Sequence, residues 1–379
     1  MLSVLFCNEM LGLGHLRLSL TLAEALVAED ESSSALVMTG SMAFGGLRTA
    51  PRVDVVKLPT SPLDANTSWS ATSRRPPANL AIGAAGVRAL RSELSVATVA
   101  QLRPEVVVVD YRPLGRDEEL RPTLELLREQ GGCTVALGLW DVDDAPERLR
   151  TQWTAELLEA IAQLYDLALV YGPSLPGDVR IEALRSAGVP VHHTGLVGVP
   201  MAHHPPADLG EGYLLATAGG GVDGVALLDA VLDAIAERPL PVTTVLVTGP
   251  MMAADEIARL RGRAVGPDVR VEEARADMDA VLAGARAVVS MAGYNTVSEV
   301  LGSGKPALLV PRTFPRVEQL NRARRWEAAG RVEVLEPESL GPALLSERIA
   351  ALLERPPSAG EPLTGASDAA AILRDLSCP

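Results

Sequence analysis

The sequence has few aromatic residues, few cysteines and no long apolar run. Phe, Trp and Tyr make up 3% of the 379 residues while 47% are hydrophobic, so the cores must consist mainly of Leu, Val and Ala. Three cysteines is an odd count, and Cys7 and Cys133 lie in predicted buried strands, which indicates reduced thiols. No apolar run approaches the roughly 18–20 residues that a membrane span needs. The first residues lack the basic region of a signal sequence, so the expected location is cytoplasmic.

Positive charge is also scarce. Lys and Arg number 34 against 48 Asp and Glu, which leaves a net charge of −14. We therefore expect neither nucleic acid nor an anionic membrane surface as the main partner. The length predicts about two domains. Pro200, Pro205 and Pro206 mark a linker over 199–211, which separates a domain over 1–198 from a domain over 212–379.

Short apolar runs alternate with helical patterns along the whole chain. This alternation predicts an α/β fold in which each domain has a doubly wound parallel sheet. The clearest predicted strands are 3–7, 35–38, 53–57, 105–110, 134–138 and 167–170 in the first domain, and 212–217, 244–247, 269–271, 285–290 and 306–310 in the second.

The most informative stretch lies in the second domain. A predicted strand, 285–290, leads into a turn at Gly293, and a helix that carries Glu299 follows. Such a turn can bind an anion, because free backbone N–H groups and the helix dipole point at the ligand. A carboxylate in the first turns of the helix can reach the hydroxyls of a ribose whose phosphates lie on the turn. The alternative is an ordinary βαβ unit with a polar loop.

Two further features of this domain are expected at the same crevice. Glu318 and Gln319 follow the next strand, and together they offer the acceptors and donors that read sugar hydroxyls. A second glycine-rich turn, Gly219–Gly221, follows the strand at 212–217. Two such turns that converge on one crevice favour a diphosphate. Neither is followed by Gly-Lys-Ser/Thr, which disfavours an ATPase.

The first domain has a candidate base. His15 follows Gly14 after the first strand, so it is expected at the mouth of the crevice. It could cap its helix, or it could act as a general base toward an acceptor hydroxyl. Asp110 ends the strand at 105–110, where it could hold His15 in the correct tautomer or pair with Arg112. Both interpretations stay open at this point.

Several candidate sites are weaker. Asp141, Asp143 and Asp144 have no metal-ligand spacing, so they are expected to face the acceptor side of the crevice or to cap a helix that runs to about Leu164. Two His-His pairs have no accompanying cysteine and indicate a strand end and linker rather than zinc, namely His192, His193, His203 and His204. The loop 59–77 contains Arg74 and Arg75, which could attract an anionic acceptor group but are more often simply solvated.

The stretch from Ser290 to Gly330 resembles the donor-sugar motif of GT-B glycosyltransferases, especially the peptidoglycan N-acetylglucosaminyltransferase group, glycosyltransferase family 28. The Gly-Leu-Gly-His15 turn resembles the N-terminal signature of these enzymes, and the order of motifs along most of the chain is similar to a group of predicted bacterial glycosyltransferases. The resemblance implies that His15 is the base and Asp110 its partner. It implies donor-binding roles for Gly219, Gly220, Gly221, Arg275, Gly293, Asn295, Thr296, Glu299, Glu318 and Gln319, and acceptor-side positions for Gly14 and Asp141.

The resemblance also implies a fold and an activity. The fold is GT-B, two Rossmann-like domains that face each other across a cleft, with a last helix that crosses back onto the first domain. The expected activity is metal-independent transfer, with inversion, of a sugar from a nucleotide-diphosphate sugar, with UDP-sugar favoured. The acceptor is expected to be a hydroxyl of a small molecule or natural product. No cofactor is expected beyond the nucleotide-sugar co-substrate. The alternatives are a nucleotide-sugar 2-epimerase or hydrolase, and a non-catalytic nucleotide-sugar-binding protein.

Overall fold

The structure is a computed structural model that describes residues 1–8, 13–41, 49–60, 80–174, 177–264, 266 and 268–377. The chain divides into two compact units. The first contains the described residues up to Val197 and those from Thr364 onward, and the second contains Gly198–Leu363. Gly12, Arg74, Arg75 and residues 61–77 of the predicted loop lie outside the described residues.

The first unit alternates strands with helices. Its strands are β1 (Leu2–Cys7), β2 (Ser34–Thr39), β3 (Val53–Lys57), β4 (Val106–Asp110), β5 (Thr134–Trp140), β6 (Leu167–Tyr171) and β7 (Val191–His193). Its helices are α1 (Gly14–Ala28), α2 (Gly83–Leu102), α3 (Arg121–Gln130), α4 (Pro146–Gln152), α5 (Ala155–Leu164), α6 (Val179–Ser186) and α13 (Gly365–Ser377).

All strands of the first sheet are parallel, in the order β3-β2-β1-β4-β5-β6-β7. The central strands are buried along their whole length, which explains the unbroken run of four valines in β4. The chain order reverses between β1 and β4. In open α/β sheets, ligands bind outside the carboxyl ends of the strands at such a reversal.

The second unit repeats this plan. Its strands are β8 (Tyr213–Thr217), β9 (Thr244–Val247), β10 (Val269–Glu272), β11 (Ala285–Ser290), β12 (Ala307–Leu309) and β13 (Glu333–Val334). Its helices are α7 (Val225–Glu237), α8 (Ala254–Arg263), α9 (Met278–Gly284), α10 (Tyr294–Ser303), α11 (Glu318–Ala328) and α12 (Pro342–Leu353). The strands are parallel in the order β10-β9-β8-β11-β12-β13, so the reversal lies between β8 and β11.

The last helix, α13, belongs to the first unit. It packs against α1 and β5 and buries Ala369, Ala370 and Leu373. The Arg374 guanidinium lies 2.5 Å from a carboxylate oxygen of Glu29, just beyond the end of α1. Because alanine side chains are small, this face of α13 can pack closely against α1 and β5.

Two elements differ from the sequence-based prediction. The strand expected over 134–138 continues to Trp140, because its last residues pair with the end of β6. The helix expected to reach Leu164 is interrupted at Trp153, and the Thr154 hydroxyl caps α5 by accepting a hydrogen bond from Leu157 N at 3.3 Å. Among the described residues, no helix combines the length and the apolar character needed to cross a membrane.

Candidate functional site

His15 and Asp110 lie together at the reversal of the first sheet. His15 is the second residue of α1, which follows β1, and Asp110 is the last residue of β4. Because β1 and β4 are neighbours, the loop after one strand comes next to the end of the other. The sheet order therefore brings together two residues that are 95 positions apart in the sequence.

The His15 imidazole and the Asp110 carboxylate form a short contact, with Nδ1 and Oδ2 2.5 Å apart. The Asp110 side chain is 3% exposed and that of His15 is 17% exposed. A buried carboxylate at Nδ1 fixes the tautomer and favours the charged imidazolium. Gly14 begins the helix beside this pair. The arrangement is therefore suited to removing a proton at Nε2.

Two aromatic rings contact the imidazole. The ring of Trp140 stacks on His15, with centroids 4.2 Å apart and an interplanar angle of 22°. The ring of Tyr111 lies 5.4 Å away at 51°. A stacked indole can stabilise a positive charge on the imidazole through its π-face. Neither ring was predicted as part of the site.

The buried guanidinium of Arg180 is connected by hydrogen bonds to the residues that carry these rings. Arg180 is 0% exposed, and it donates to Asp178 Oδ1 and Oδ2 at 3.1 and 2.7 Å. It also donates to Asp143 Oδ2 at 3.2 Å and to the Trp140 carbonyl at 3.1 Å. Burial lowers the pKa of Arg180, but the hydrogen bonds and charges of Asp178 and Asp143 outweigh it, so the net pKa is above its ordinary value.

The three predicted acceptor-side acids have different surroundings. Asp143 accepts from Arg180 and from the Tyr111 hydroxyl, the latter at 3.1 Å. Asp144 pairs with Arg148 at 3.2 Å across one turn. Asp141 is 1% exposed and packs against Gly172; a Cβ atom added at Gly172 would lie 2.5 Å from the Cβ atom of Asp141. Asp143 and Asp144 are thus held in ion pairs, and the acceptor-side role of Asp141 stays a prediction.

The two glycine turns of the second unit meet at the reversal of its sheet. Gly219, Gly220 and Gly221 follow β8, and Gly293 precedes α10, which follows β11. A Cβ atom on Gly219 would lie 3.2 Å from Thr296 Oγ1, so the two turns are close together.

The first turn requires glycine at two positions, and both turns leave space at a third and a fourth glycine. Gly219 and Gly221 have positive φ angles of 61° and 91°. A Cβ atom on Gly220 or Gly293 would meet no atom of the described residues within 4 Å. The backbone faces of both turns are therefore open, as an anion site at a helix N-terminus requires.

Gln319 joins the loops at the carboxyl ends of two strands. Its side-chain carbonyl accepts hydrogen bonds from Ala292 N at 3.3 Å and Arg312 N at 3.1 Å. Ala292 lies in the turn before α10, so the predicted proximity of Gln319 to Gly293 is observed. Because the carbonyl oxygen accepts both backbone amides, the NH₂ group of Gln319 is the part that can donate to a ligand.

Glu318 is paired with an arginine that was not predicted as a site residue. Arg312 Nη2 lies 2.6 Å from Glu318 Oε1, and Nη1 lies 2.8 Å from Asp223 Oδ2. Burial lowers the pKa of Arg312, but the charges of Glu318 and Asp223 outweigh it and the net pKa is raised. Glu318 Oε2 is buried without a hydrogen-bond partner among the described residues. One cation thus serves two carboxylates beside the glycine turns.

The remaining predicted donor residues lie on the same elements. Asn295 and Thr296 are in the first turn of α10, and Glu299 is farther along and 6% exposed. Arg275 follows β10, and its side chain forms bidentate pairs with Asp277 and Asp208 at distances of 2.7–3.1 Å. The Arg275 side chain therefore pairs with acids of its own unit, and the donor-binding role of Arg275 stays a prediction.

The described part of the chain contains no group of three or more His, Cys, Asp or Glu side chains placed to hold a metal ion. His192 and His193 belong to β7, and His193 Nδ1 lies 3.2 Å from the Gly172 carbonyl. His203 and His204 are exposed.

Comparisons with known proteins show which families and folds the chain resembles. Residues 215–374 match the model of the glycosyltransferase family 28 C-terminal domain. A curated relative from Mesorhizobium japonicum is named UDP-N-acetylglucosamine--N-acetylmuramyl-(pentapeptide) pyrophosphoryl-undecaprenol N-acetylglucosamine transferase. It is 34% identical over 175 residues, which cover 44% of this chain and 47% of the relative. The chain thus spans about half the length of the curated relatives it matches.

Solved structures resemble the chain over nearly its whole length. The glycotransferase of kitacinnamycin gives a TM-score of 0.60 at 18% identity, with 99% of this chain and 94% of that chain covered. MurG from Acinetobacter baumannii gives a TM-score of 0.57 at 14% identity, with 99% and 97% covered. These likenesses confirm the predicted GT-B fold. Together with the family-model match and the curated relatives, they confirm the resemblance to the glycosyltransferase family 28 group.

Proposed function

We propose that this chain is a glycosyltransferase that moves a sugar from a nucleotide-diphosphate sugar to a hydroxyl group of a small-molecule acceptor. The observation that carries the proposal is the 2.5 Å pair of His15 and Asp110 at the sheet reversal of the first unit. A protein that only bound nucleotide sugars would have no use for an oriented base. The pair therefore favours an enzyme over the non-catalytic alternative.

The second unit supplies the donor site in this proposal. The turns at Gly219–Gly221 and Gly293 present backbone N–H groups to the diphosphate, and the N-terminus of α10 adds the positive end of its dipole. Glu299 binds the ribose hydroxyls. Glu318 and the NH₂ group of Gln319 contact the sugar.

The reaction follows from the base. Nε2 of His15 takes the proton of the acceptor hydroxyl while that oxygen attacks the anomeric carbon of the sugar. The bond from this carbon to the diphosphate breaks, and the diphosphate leaves with the electron pair. Asp110 stabilises the imidazolium that forms. Because one displacement occurs on the face opposite the leaving group, the sugar is transferred with inversion.

The leaving diphosphate is stabilised by the protein itself in this proposal. The backbone N–H groups of two glycine turns and the dipole of α10 are fixed before the reaction, and fixed dipoles stabilise developing charge without reorganisation. Arg312 lies near these turns, where its charge offsets part of the negative charge of Glu318 and Asp223. We therefore expect transfer to continue in the presence of a chelator.

The relatives support a UDP-sugar donor, because the curated relative is named for UDP-N-acetylglucosamine. Its acceptor is lipid-linked by name, whereas the structural neighbours include a glycosyltransferase of calicheamicin. We favour a small-molecule acceptor. The epimerase or hydrolase alternative requires additional acids at the sugar, and Asp143 and Asp144 are engaged by Arg180 and Arg148.

The test begins with calorimetric titration of nucleoside diphosphates in EDTA. We expect tight binding of UDP, at least about tenfold weaker binding in Glu299→Ala, and unchanged binding in His15→Ala. The transfer rate should be lost in His15→Ala and retained in His204→Ala, which removes an exposed histidine. Release of free sugar or of a 2-epimer without an acceptor would favour the alternative enzyme, and full transfer by His15→Ala would remove His15 from the mechanism.

A further inference from the structure

We propose that Arg180 is a positioning residue for His15, and that it acts by holding the two aromatic rings that contact the imidazole. The assignment of His15 as the base rests on the proposed function. The placement of the imidazole by Trp140 and Tyr111 does not depend on that assignment, because it concerns the orientation of a ring.

The imidazole needs more than its carboxylate partner to be held in one orientation. The contact from Nδ1 to Asp110 fixes one direction of the ring, but it leaves the plane of the ring free to tilt about that direction. Stacking on Trp140 at 4.2 Å and 22° fixes the plane. Tyr111, tilted at 51°, limits the motion further. The direction in which Nε2 points is therefore set jointly by Asp110 and the two rings.

Arg180 holds both rings through separate hydrogen bonds. One Nη2–H bonds the carbonyl of Trp140, which fixes the end of β5 from which the indole projects. Nη1–H bonds Asp143, whose other carboxylate oxygen accepts from the Tyr111 hydroxyl. The chain of contacts thus runs from one guanidinium to both rings.

The backbone at Tyr111 makes this support necessary. Tyr111 has a φ of 66°, a region that is costly for a bulky residue. Its N–H donates to the Gly138 carbonyl at 2.8 Å, and its hydroxyl is held by Asp143. These contacts keep the ring in a conformation that the local sequence would not select.

Only arginine can make this set of contacts at one position. The planar guanidinium bonds both oxygens of Asp178 while it reaches Asp143 and the Trp140 carbonyl. A lysine ammonium keeps the charge but lacks the fixed fork geometry. In Arg180→Lys we therefore expect the imidazole to lose its fixed orientation while the charge balance of the buried site is preserved.

The test combines kinetics with NMR on the full chain. In Arg180→Lys and in the milder Tyr111→Phe, we expect kcat to fall, by about tenfold or more for the lysine variant, because small errors in orientation are costly. The KM for the donor should stay within about twofold, since the donor residues lie in the other unit. The His15 ring protons, identified among the five histidines by their absence in His15→Ala, should lose the upfield shift caused by the stacked indole.

Arg91→Lys is the matched control. Arg91 is also buried, at 2% exposed, and forms a bidentate pair with Glu119 at 2.6 Å in the same unit. It should lower Tm by an amount similar to Arg180→Lys without changing kcat or the His15 resonances. The proposal is overturned if the His15 resonances are unchanged in Arg180→Lys and Tyr111→Phe, or if Arg91→Lys lowers kcat equally. Activity that survives in His15→Ala would instead contradict the proposed function, while the resonances would still test the role of Arg180.

Discussion

Asp110→Asn tests the proposed base most directly, because it changes charge while it preserves shape. The carboxylate is 3% exposed and lies 2.5 Å from His15 Nδ1. Asparagine can still place an oxygen or an NH₂ group near that nitrogen, but it carries no charge to stabilise an imidazolium. The backbone carbonyl of Asp110, which accepts from Asn8 Nδ2 at 2.6 Å, is unaffected.

The size of the effect follows from the hydrogen bond that is lost. A hydrogen bond to a charged group contributes about 1.5–3 kcal/mol. This contribution grows as the imidazole becomes positive in the transition state, and about 1.4 kcal/mol corresponds to a tenfold change in rate. We therefore expect kcat to fall by roughly 10- to 150-fold, with an additional loss if the amide selects the wrong tautomer of His15.

The assay is transfer from the best-bound nucleotide sugar at saturating donor, followed by chromatography of the product. Calorimetric affinity for the nucleoside diphosphate should be unchanged, because Asp110 lies in the first unit. A kcat within about threefold of the wild-type value would refute the assignment of Asp110 as the partner of a catalytic base. Weakened nucleotide binding with an unchanged kcat would be equally damaging.

Two further predictions concern Gly249, which contacts the first glycine turn, and the pH dependence of the stability of the chain. Gly249→Ala should destabilise the chain by about 2 kcal/mol or more, since Gly249 has a positive φ of 83°. A Cβ atom there would lie 2.2 Å from the Gly219 carbonyl oxygen, so nucleotide affinity should also fall, and an unchanged Tm and affinity would show that the turn is not constrained. Burial raises the pKa of Asp178, but the hydrogen bonds and charge of Arg180 outweigh it, and the net pKa lies below its ordinary value of 3.8. The pair therefore contributes stability above about pH 3.8, and this stability is lost as the pH falls through the lowered pKa. In urea unfolding, Asp178→Asn should be less stable than the wild type at pH 7, and the difference in free energy of unfolding should shrink at pH 3. A difference that persists at low pH would contradict this reasoning.

The sheet order explains why the His15–Asp110 pair could be predicted from the sequence. Buried parallel strands appear as unbroken apolar runs, and the loop after the first strand of a doubly wound domain faces the end of the fourth. Apolar runs and glycine turns are local patterns, so β4, β11 and the turn at Gly293 were placed within a residue or two. The proximity of Gln319 to Ala292 followed from the same rule.

The groups that hold the site together could not be predicted in this way. Arg180 lies in a helix that gives no reason to expect a buried charge, and its partners Asp143 and Trp140 are 37 and 40 residues away. Arg312 lies three residues beyond the end of β12 and would ordinarily be assigned to the surface, although it joins Glu318 and Asp223. Long side chains reach partners that no short motif encodes, so local periodicity cannot identify them.

The position of α13 has a consequence for how the chain is made. Thr134 Oγ1 donates to the Leu376 carbonyl at 3.4 Å, and Gly365 N donates to the Leu196 carbonyl at 2.9 Å, so the first unit is completed by residues 364–377. During synthesis the second unit, Gly198–Leu363, is released whole before those residues emerge. Until then, the face of α1 that α13 covers stays uncovered. The unit that begins first is thus completed last, because α13 can pack on α1 only after the second unit has been synthesised.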